Sequence, residues 1–104
     1  MLPDHIIVGP LTYRIVYVRD LKDDDGKWLH GWVLFTEQEM RIDAAMSEER
    51  KRITLLHEAL HAIEETRGLK LDEPTVIALG TAIYELLRDN PWLAPRCASI
   101  LHIP

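Results

Sequence analysis

Residues 47–68 read SEERKRITLLHEALHAIEETRG and predict a long helix that carries the candidate functional residues of the chain. Ser47 is a typical N-cap, because its hydroxyl accepts a hydrogen bond from a free backbone N–H, and the acidic residues after it suit the positive end of the helix dipole. Gly68 suits the left-handed conformation that often ends a helix. We therefore predict one helix between Ser47 and Gly68.

Two histidines and a glutamate on this helix form an HExxH pattern, with His57, Glu58 and His61. Positions four apart in an α-helix lie about 40° apart around its axis, so both imidazoles project from one face and are able to bind the same zinc ion. Glu58 lies beside that face, which suits a general base that must reach a water without occupying a ligand position. The opposite face is apolar and consists of Leu55, Leu56, Ala59, Ala62 and Ile63.

A catalytic zinc site usually has three protein ligands and one water, so a third ligand must be found. The candidates are Glu64, Glu65, Glu73, Glu85, His30, His102 and Cys97. Glu64 shares the histidine face, but three ligands from one straight helix would lie nearly in a line, so it is better suited to supporting a ligand. Glu73 begins the next predicted helix and is the predicted third ligand. Glu85 lies about 18 Å farther along that helix and points elsewhere, so it is not expected to bind the same ion.

The segment before the first helix predicts a small sheet. Residues 12–21 are rich in β-branched and aromatic side chains, and residues 27–35 resume that pattern after the turn-forming residues 23–26. We predict that these two strands form an antiparallel hairpin with a solvated tip. Residues 39–44 alternate apolar and polar side chains and predict a third short strand.

A second helix is predicted from Asp72, its cap, to about Arg88, because Pro74 is tolerated in a first turn and Asn90-Pro91 ends the pattern. Gly80 within it is expected to let the two helix backbones approach closely. Residues 91–104 predict a packed tail. The order of elements predicts an α+β fold, in which a largely antiparallel sheet of three strands packs on the histidine helix and the glutamate helix that follows.

The composition indicates a single domain over residues 1–104, because 47% hydrophobic and 28% charged residues are ordinary for a folded chain of this length. Cys97 is the one cysteine, so no internal disulfide is possible and we expect a cytoplasmic protein. No signal peptide or membrane span is expected. With a net charge of -5 and one short basic run, residues 50–52, nucleic acid is not an expected partner.

The motif resembles that of the small gluzincin metallopeptidases, in particular short ImmA/IrrE-like proteins that phages and prophages often encode. Three blocks carry the resemblance, which extends over roughly residues 12–93. They are LLHEALHAI at 55–63, LDE at 71–73 and LLRDNP at 86–91. It implies a zinc peptidase whose sheet has an edge strand lining a substrate cleft. The implied metal ligands are His57, His61 and Glu73, with Glu58 as the base.

The resemblance leaves one role open, because Ile77 stands where many gluzincins have an acidic residue that orients a histidine. The candidates for that role are Glu64, Asp43 and Asp72. We expect zinc-dependent hydrolysis of a peptide or protein substrate, which would bind extended along the strand Met40–Asp43. The alternative is an interaction domain that zinc stabilises and that has no hydrolytic activity.

Overall fold

The structure is a computed structural model and describes residues 2–94. The elements are β1 (His5–Val8), β2 (Leu11–Val18), β3 (Gly31–Leu34), β4 (Glu39–Asp43), α1 (Glu48–Arg67), α2 (Glu73–Asp89) and a short 3-10 helix (Pro91–Leu93). The predicted α+β class is confirmed. None of the helices in the described part of the chain has the length and apolar character needed to span a membrane. The predicted packed tail falls largely outside the described residues.

The four strands form one mixed sheet in the order β1-β2-β4-β3. β2 pairs with β4 in parallel, whereas β1 pairs with β2 and β3 pairs with β4 in antiparallel fashion. The predicted sheet of three largely antiparallel strands is therefore wrong. The predicted hairpin between residues 12–21 and 27–35 forms only near its tip, where Lys22 and Trp28 make an antiparallel bridge and the Leu29 N–H donates to the Leu21 carbonyl. Beyond the tip the prediction is wrong, because β2 and β3 each pair with β4 and not with each other.

Burial explains why β4 lies inside the sheet instead of at its edge. Met40 and Ile42 are fully buried, and in the register of the sheet Ile15 of β2 lies beside Met40 and Tyr17 beside Ile42. When β4 lies between β2 and β3, both neighbouring strands help to cover these apolar side chains. The polar segment between β2 and β3 remains outside the sheet. The choice of Met40–Asp43 as the edge strand is wrong, because β1 and β3 occupy the two edges.

β1 was not predicted, although its turn has a recognisable sequence. Gly9 and Pro10 stand between two apolar runs, a combination that favours a tight turn. Gly9 has a φ of 58°, which a glycine adopts without strain. The resulting hairpin adds β1 to β2 at the edge opposite β3.

α1 covers the sheet with three of the five residues of its predicted apolar face, whereas Leu56 is half-buried and Ile63 is exposed. Its buried side chains Leu55, Ala59 and Ala62 belong to the same core cluster as the buried strand residues Val8, Tyr13, Ile15, Met40 and Ile42. Both predicted ends are confirmed, because the Ser47 hydroxyl accepts a hydrogen bond from the Arg50 N–H and Gly68 has a φ of 67°. The histidine face of α1 is thereby directed away from the core and towards α2.

Candidate metal centre

The three predicted ligands meet at one place between α1 and α2. Glu73 Oε1 lies 2.8 Å from His57 Nε2, and Glu73 Oε2 lies 3.2 Å from His61 Nε2. The two Nε2 atoms are 3.2 Å apart. One ligand atom from each residue lies within 4.8 Å of the others, which is close enough for all three to hold one ion.

The local sequence of α2 explains how Glu73 reaches the histidines. Asp72 caps the helix by accepting a hydrogen bond from the Thr75 N–H, so Glu73 is the first helical residue. Two turns later Gly80 is buried against α1, where a Cβ on it would lie 3.6 Å from the His57 Cα. The helices are closely packed here, as predicted, and this packing places the start of α2 over the histidine pair. An alanine Cβ would make only ordinary contacts at this position, so the approach does not require the glycine.

Glu64 fulfils the role that the sequence left open. Its Oε1 lies 2.9 Å from His61 Nδ1, and its Oε2 accepts a hydrogen bond of 2.8 Å from the Leu71 N–H. The bonds from Leu71 and His61 hold the pKa of Glu64 below its usual value. With the His61 proton on Nδ1, its Nε2 has a lone pair directed at the centre.

The other two candidates for that role are occupied elsewhere. Asp43 accepts a hydrogen bond from the Ala45 N–H, and Asp72 is the cap of α2. Neither of these contacts involves an imidazole. Among the described residues the histidine-orienting carboxylate is therefore Glu64.

The donor set fits a zinc ion. Two imidazole nitrogens and one carboxylate oxygen are ordinary zinc ligands, and three protein donors leave a fourth position free. Burial lowers the pKa of His57, which favours the neutral imidazole that binds metals. Glu73 is exposed and reaches the pair from the solvent side, so the centre is accessible.

Glu58 is the most buried carboxylate beside this centre, with 6% of its surface exposed. Its Oε2 lies 4.0 Å from His57 Nε2, at the edge of the ligand group and outside it. Burial raises the pKa of Glu58 to about 7. A carboxyl with such a pKa both accepts and releases a proton near neutral pH.

Comparisons of the chain with protein-family models, with curated proteins and with solved structures found no match. The chemistry of the centre is therefore inferred from its own geometry. Three convergent donors, a carboxylate that orients one of them and a buried carboxyl at their edge are together suited to acid–base chemistry at a metal.

Gly31 is a residue of this site that the sequence analysis missed. It begins the edge strand β3, and a Cβ on it would lie 2.7 Å from Thr54 Cγ2 and 2.9 Å from Glu58 Oε2. Any side chain there would displace one of these neighbours. A glycine inside a predicted strand often marks such a close approach, so the signal was present in the segment 27–35.

Two cavities lie along α1, one on each side of the histidine pair. The larger, of about 510 Å³, extends from His57 towards the start of α1 and has His30, Arg50, Ile53 and Ile77 among its lining residues. The smaller, of about 390 Å³, extends from His61 towards the end of α1. The two cavities lie at opposite ends of β3. Gly31, at the start of the strand, lines the larger cavity, and Phe35, just after the strand, lines the smaller one.

The remaining predicted candidates lie apart from the centre. His30 lines the larger cavity and Glu65 the smaller one, and neither belongs to the ligand group. Glu85 is exposed in the last third of α2, away from Glu73 as expected. Cys97 and His102 lie outside the described residues.

Proposed function

We propose that the protein is a zinc-dependent peptide hydrolase. The observation that carries the proposal is the convergence of His57, His61 and Glu73 beside a buried carboxyl, Glu58, that is not part of the ligand group. A structural zinc site is usually closed by four protein ligands, whereas three ligands and a neighbouring base are typical of a hydrolytic site. The resemblance of the motif to small gluzincin peptidases supports the same assignment.

When bound, zinc supplies Lewis acidity, which increases the acidity of a water and polarises a carbonyl group. The residues of the chain perform the proton transfers. Glu58 accepts a proton from the attacking water at its carboxylate and then donates it to the amine nitrogen that leaves. Glu64 holds His61 in the tautomer that keeps Nε2 free, and the buried surroundings of Glu58 exclude bulk water from the carboxyl.

The substrate is proposed to bind as an extended chain along β3. Among residues 2–94 no strand pairs with the outer edge of β3, and Gly31 brings its backbone beside Glu58. Main-chain hydrogen bonds to a sheet edge hold a peptide straight, while cavities beside the edge accept its side chains. β3 thus takes the role that the sequence analysis assigned to Met40–Asp43.

The metal content of the purified protein tests the ligand set. After zinc is supplied, elemental mass spectrometry is expected to find about one zinc per chain, as three protein ligands predict. Glu73→Ala is expected to lose most of the metal, and Glu85→Ala, an exposed glutamate of the same helix, is the matched control. Full zinc in Glu73→Ala would place the third ligand elsewhere.

Cleavage of a broad peptide library, followed by mass spectrometry, tests the reaction. The zinc-loaded wild type is expected to cleave at least one peptide, and Glu58→Gln is expected to retain zinc and lose cleavage. Zinc-dependent melting with no cleavage by the wild type would contradict the proposal. That result would support the alternative, an interaction domain that zinc stabilises.

A further inference from the structure

A positively charged side chain, Arg50, lines the larger cavity at the end that is farthest from the histidines along α1. Arg50 and His57 both line it, and they are seven residues apart on one helix face, which corresponds to a rise of about 10 Å. Ile53 of α1 and Ile77 of α2 form apolar walls between them. An extended peptide advances about 3.3 Å per residue, so Arg50 lies about three substrate residues from the histidine pair.

Arg50 differs from the two basic residues that follow it. Lys51 and Arg52 both form ion pairs with Glu48, one turn earlier on the same helix. Among residues 2–94, no carboxylate lies within ion-pair distance of Arg50. Its positive charge is therefore available to a ligand in the cavity.

The position of Arg50 in the helix is unfavourable for stability. It is the third residue after the cap Ser47, where a glutamate would complete a capping box and suit the positive end of the helix dipole. A cation in the first turn has the opposite electrostatic effect. Residues that contradict such helix-capping and dipole preferences are expected mainly at positions where the side chain has a functional role.

We propose that this cavity is a specificity site in which Arg50 binds a carboxylate of the substrate about three residues from the bond that is cleaved. This inference rests on the proposed peptidase function. The carboxylate has two chemical sources, an acidic side chain or the free carboxyl terminus of the peptide. Both present the planar pair of oxygens that a guanidinium binds with two parallel hydrogen bonds.

Binding of a defined peptide set tests this proposal separately from hydrolysis. The peptides are fluorescent heptamers of alanine and leucine, each with Glu, Gln or Lys at one position, with free or amidated carboxyl termini. Binding is measured by anisotropy on zinc-supplied protein that contains Glu58→Gln, so that bound peptide is not cleaved. Arg50→Gln and Arg50→Glu are compared in that background, with Arg19→Glu as a control at an exposed arginine that does not line the cavity.

Either the peptide with Glu at one particular position binds about three- to fivefold more tightly than the peptide with Gln there, or the peptide with a free carboxyl terminus binds more tightly than the amidated peptide by the same factor. This is the size of effect expected for a partly exposed ion pair. The preference disappears in Arg50→Gln, changes in favour of Lys in Arg50→Glu, and persists in Arg19→Glu. Arg50→Glu is expected to raise the melting temperature, because it completes the capping box with Ser47, so misfolding does not obscure the result.

Equal binding of charged and neutral peptides at every position overturns the proposal, and so does a preference that survives in Arg50→Gln. Absence of binding by every peptide overturns it as well. If the wild type hydrolyses peptides without any charge preference, the proposed specificity site is contradicted and the proposed peptidase function is supported. A charge preference that depends on Arg50, together with an inactive wild type, supports the site and contradicts the peptidase function.

Discussion

The carboxylate of Glu64 joins His61 to the beginning of α2. One oxygen lies 2.9 Å from His61 Nδ1, and the other accepts a hydrogen bond from the backbone N–H of Leu71, two residues before Glu73. A single side chain thus orients one proposed ligand and positions the segment that carries another.

Glu64→Gln is expected to weaken zinc binding about 10- to 100-fold, the usual effect of removing a carboxylate that supports a metal-binding histidine. The measurement is competition with a zinc chelator. Glu65→Gln, an exposed neighbour on the same helix, serves as the control and is expected to bind zinc like the wild type. Wild-type affinity in Glu64→Gln would show that the carboxylate contributes nothing to the ligand geometry.

Gly31→Ala is expected to retain zinc and to reduce peptide cleavage about 10- to 100-fold, because a small displacement of a catalytic group has effects of this size. The new Cβ would lie 2.9 Å from Glu58 Oε2 and would move the carboxyl. Zinc content and the cleavage rate on a library peptide are the measurements.

A second substitution separates the effect on activity from the effect on folding. The Cβ of Gly31→Ala also lies 2.7 Å from Thr54 Cγ2, a methyl group that Thr54→Ser removes. Gly31→Ala is therefore also expected to lower the melting temperature, and the double variant is expected to regain part of that loss while cleavage stays low, since the contact with Glu58 remains. Wild-type cleavage in Gly31→Ala would contradict the proposed closeness of β3 to the base.

Gly80→Ala is expected to stabilise the protein by about 0.5–1 kcal/mol, the usual difference between alanine and glycine inside a helix. The added Cβ has room, because its nearest neighbours, the His57 Cα and the Leu60 Cδ1, are both 3.6 Å away. Gly80→Leu exceeds that space and is expected to separate the helices and weaken zinc binding. Thermal melting and chelator competition measure both effects, and Ala78→Leu, at an exposed position of α2, is the control for size.

Glu39→Gln is expected to destabilise the protein by about 1 kcal/mol at pH 7, the usual value for one lost side-chain hydrogen bond near a solvated partner. Glu39 is 6% exposed and accepts hydrogen bonds from Arg14 of β2 and from Arg41. These bonds lower the pKa of Glu39 from its ordinary value of 4.5.

The sign of the pH dependence follows from that lowered pKa. The contribution of Glu39 is fully present above pH 4.5 and is lost as the pH falls through the lower pKa of the folded state. Urea denaturation is therefore expected to show a difference between the wild type and Glu39→Gln that is constant from pH 6 to 8 and decreases below pH 4.5. Glu37→Gln, an exposed neighbour, is the control, and a difference that persists unchanged at low pH would contradict the ion-pair interpretation.

The features that were predicted correctly depend on interactions between residues close in sequence. Ser47, Gly68 and Asp72 occupy the cap positions that their side chains favour, because capping involves atoms only a few residues apart. The strand pairing was predicted incorrectly, because a pattern of alternation shows which side chains are buried and does not show which strand covers them. The role of Gly31 was missed for a similar reason, because it depends on contacts with Thr54 and Glu58, which lie 23 and 27 residues later in the chain.

The sequence by itself determined the pair of histidines on one helix face, since the helical repeat of 3.6 residues sets that spacing wherever the helix lies. The sequence predicted Glu73 as the third ligand and named Glu64 among three candidates for the supporting role. Only the tertiary structure decided that Glu73 meets the histidines, that Glu64 contacts His61, and that β3 instead of β4 lies at the edge of the sheet. These contacts depend on how closely α2 approaches α1 and on which strand the sheet buries. Both are set by packing among residues distant in sequence, which no local pattern specifies.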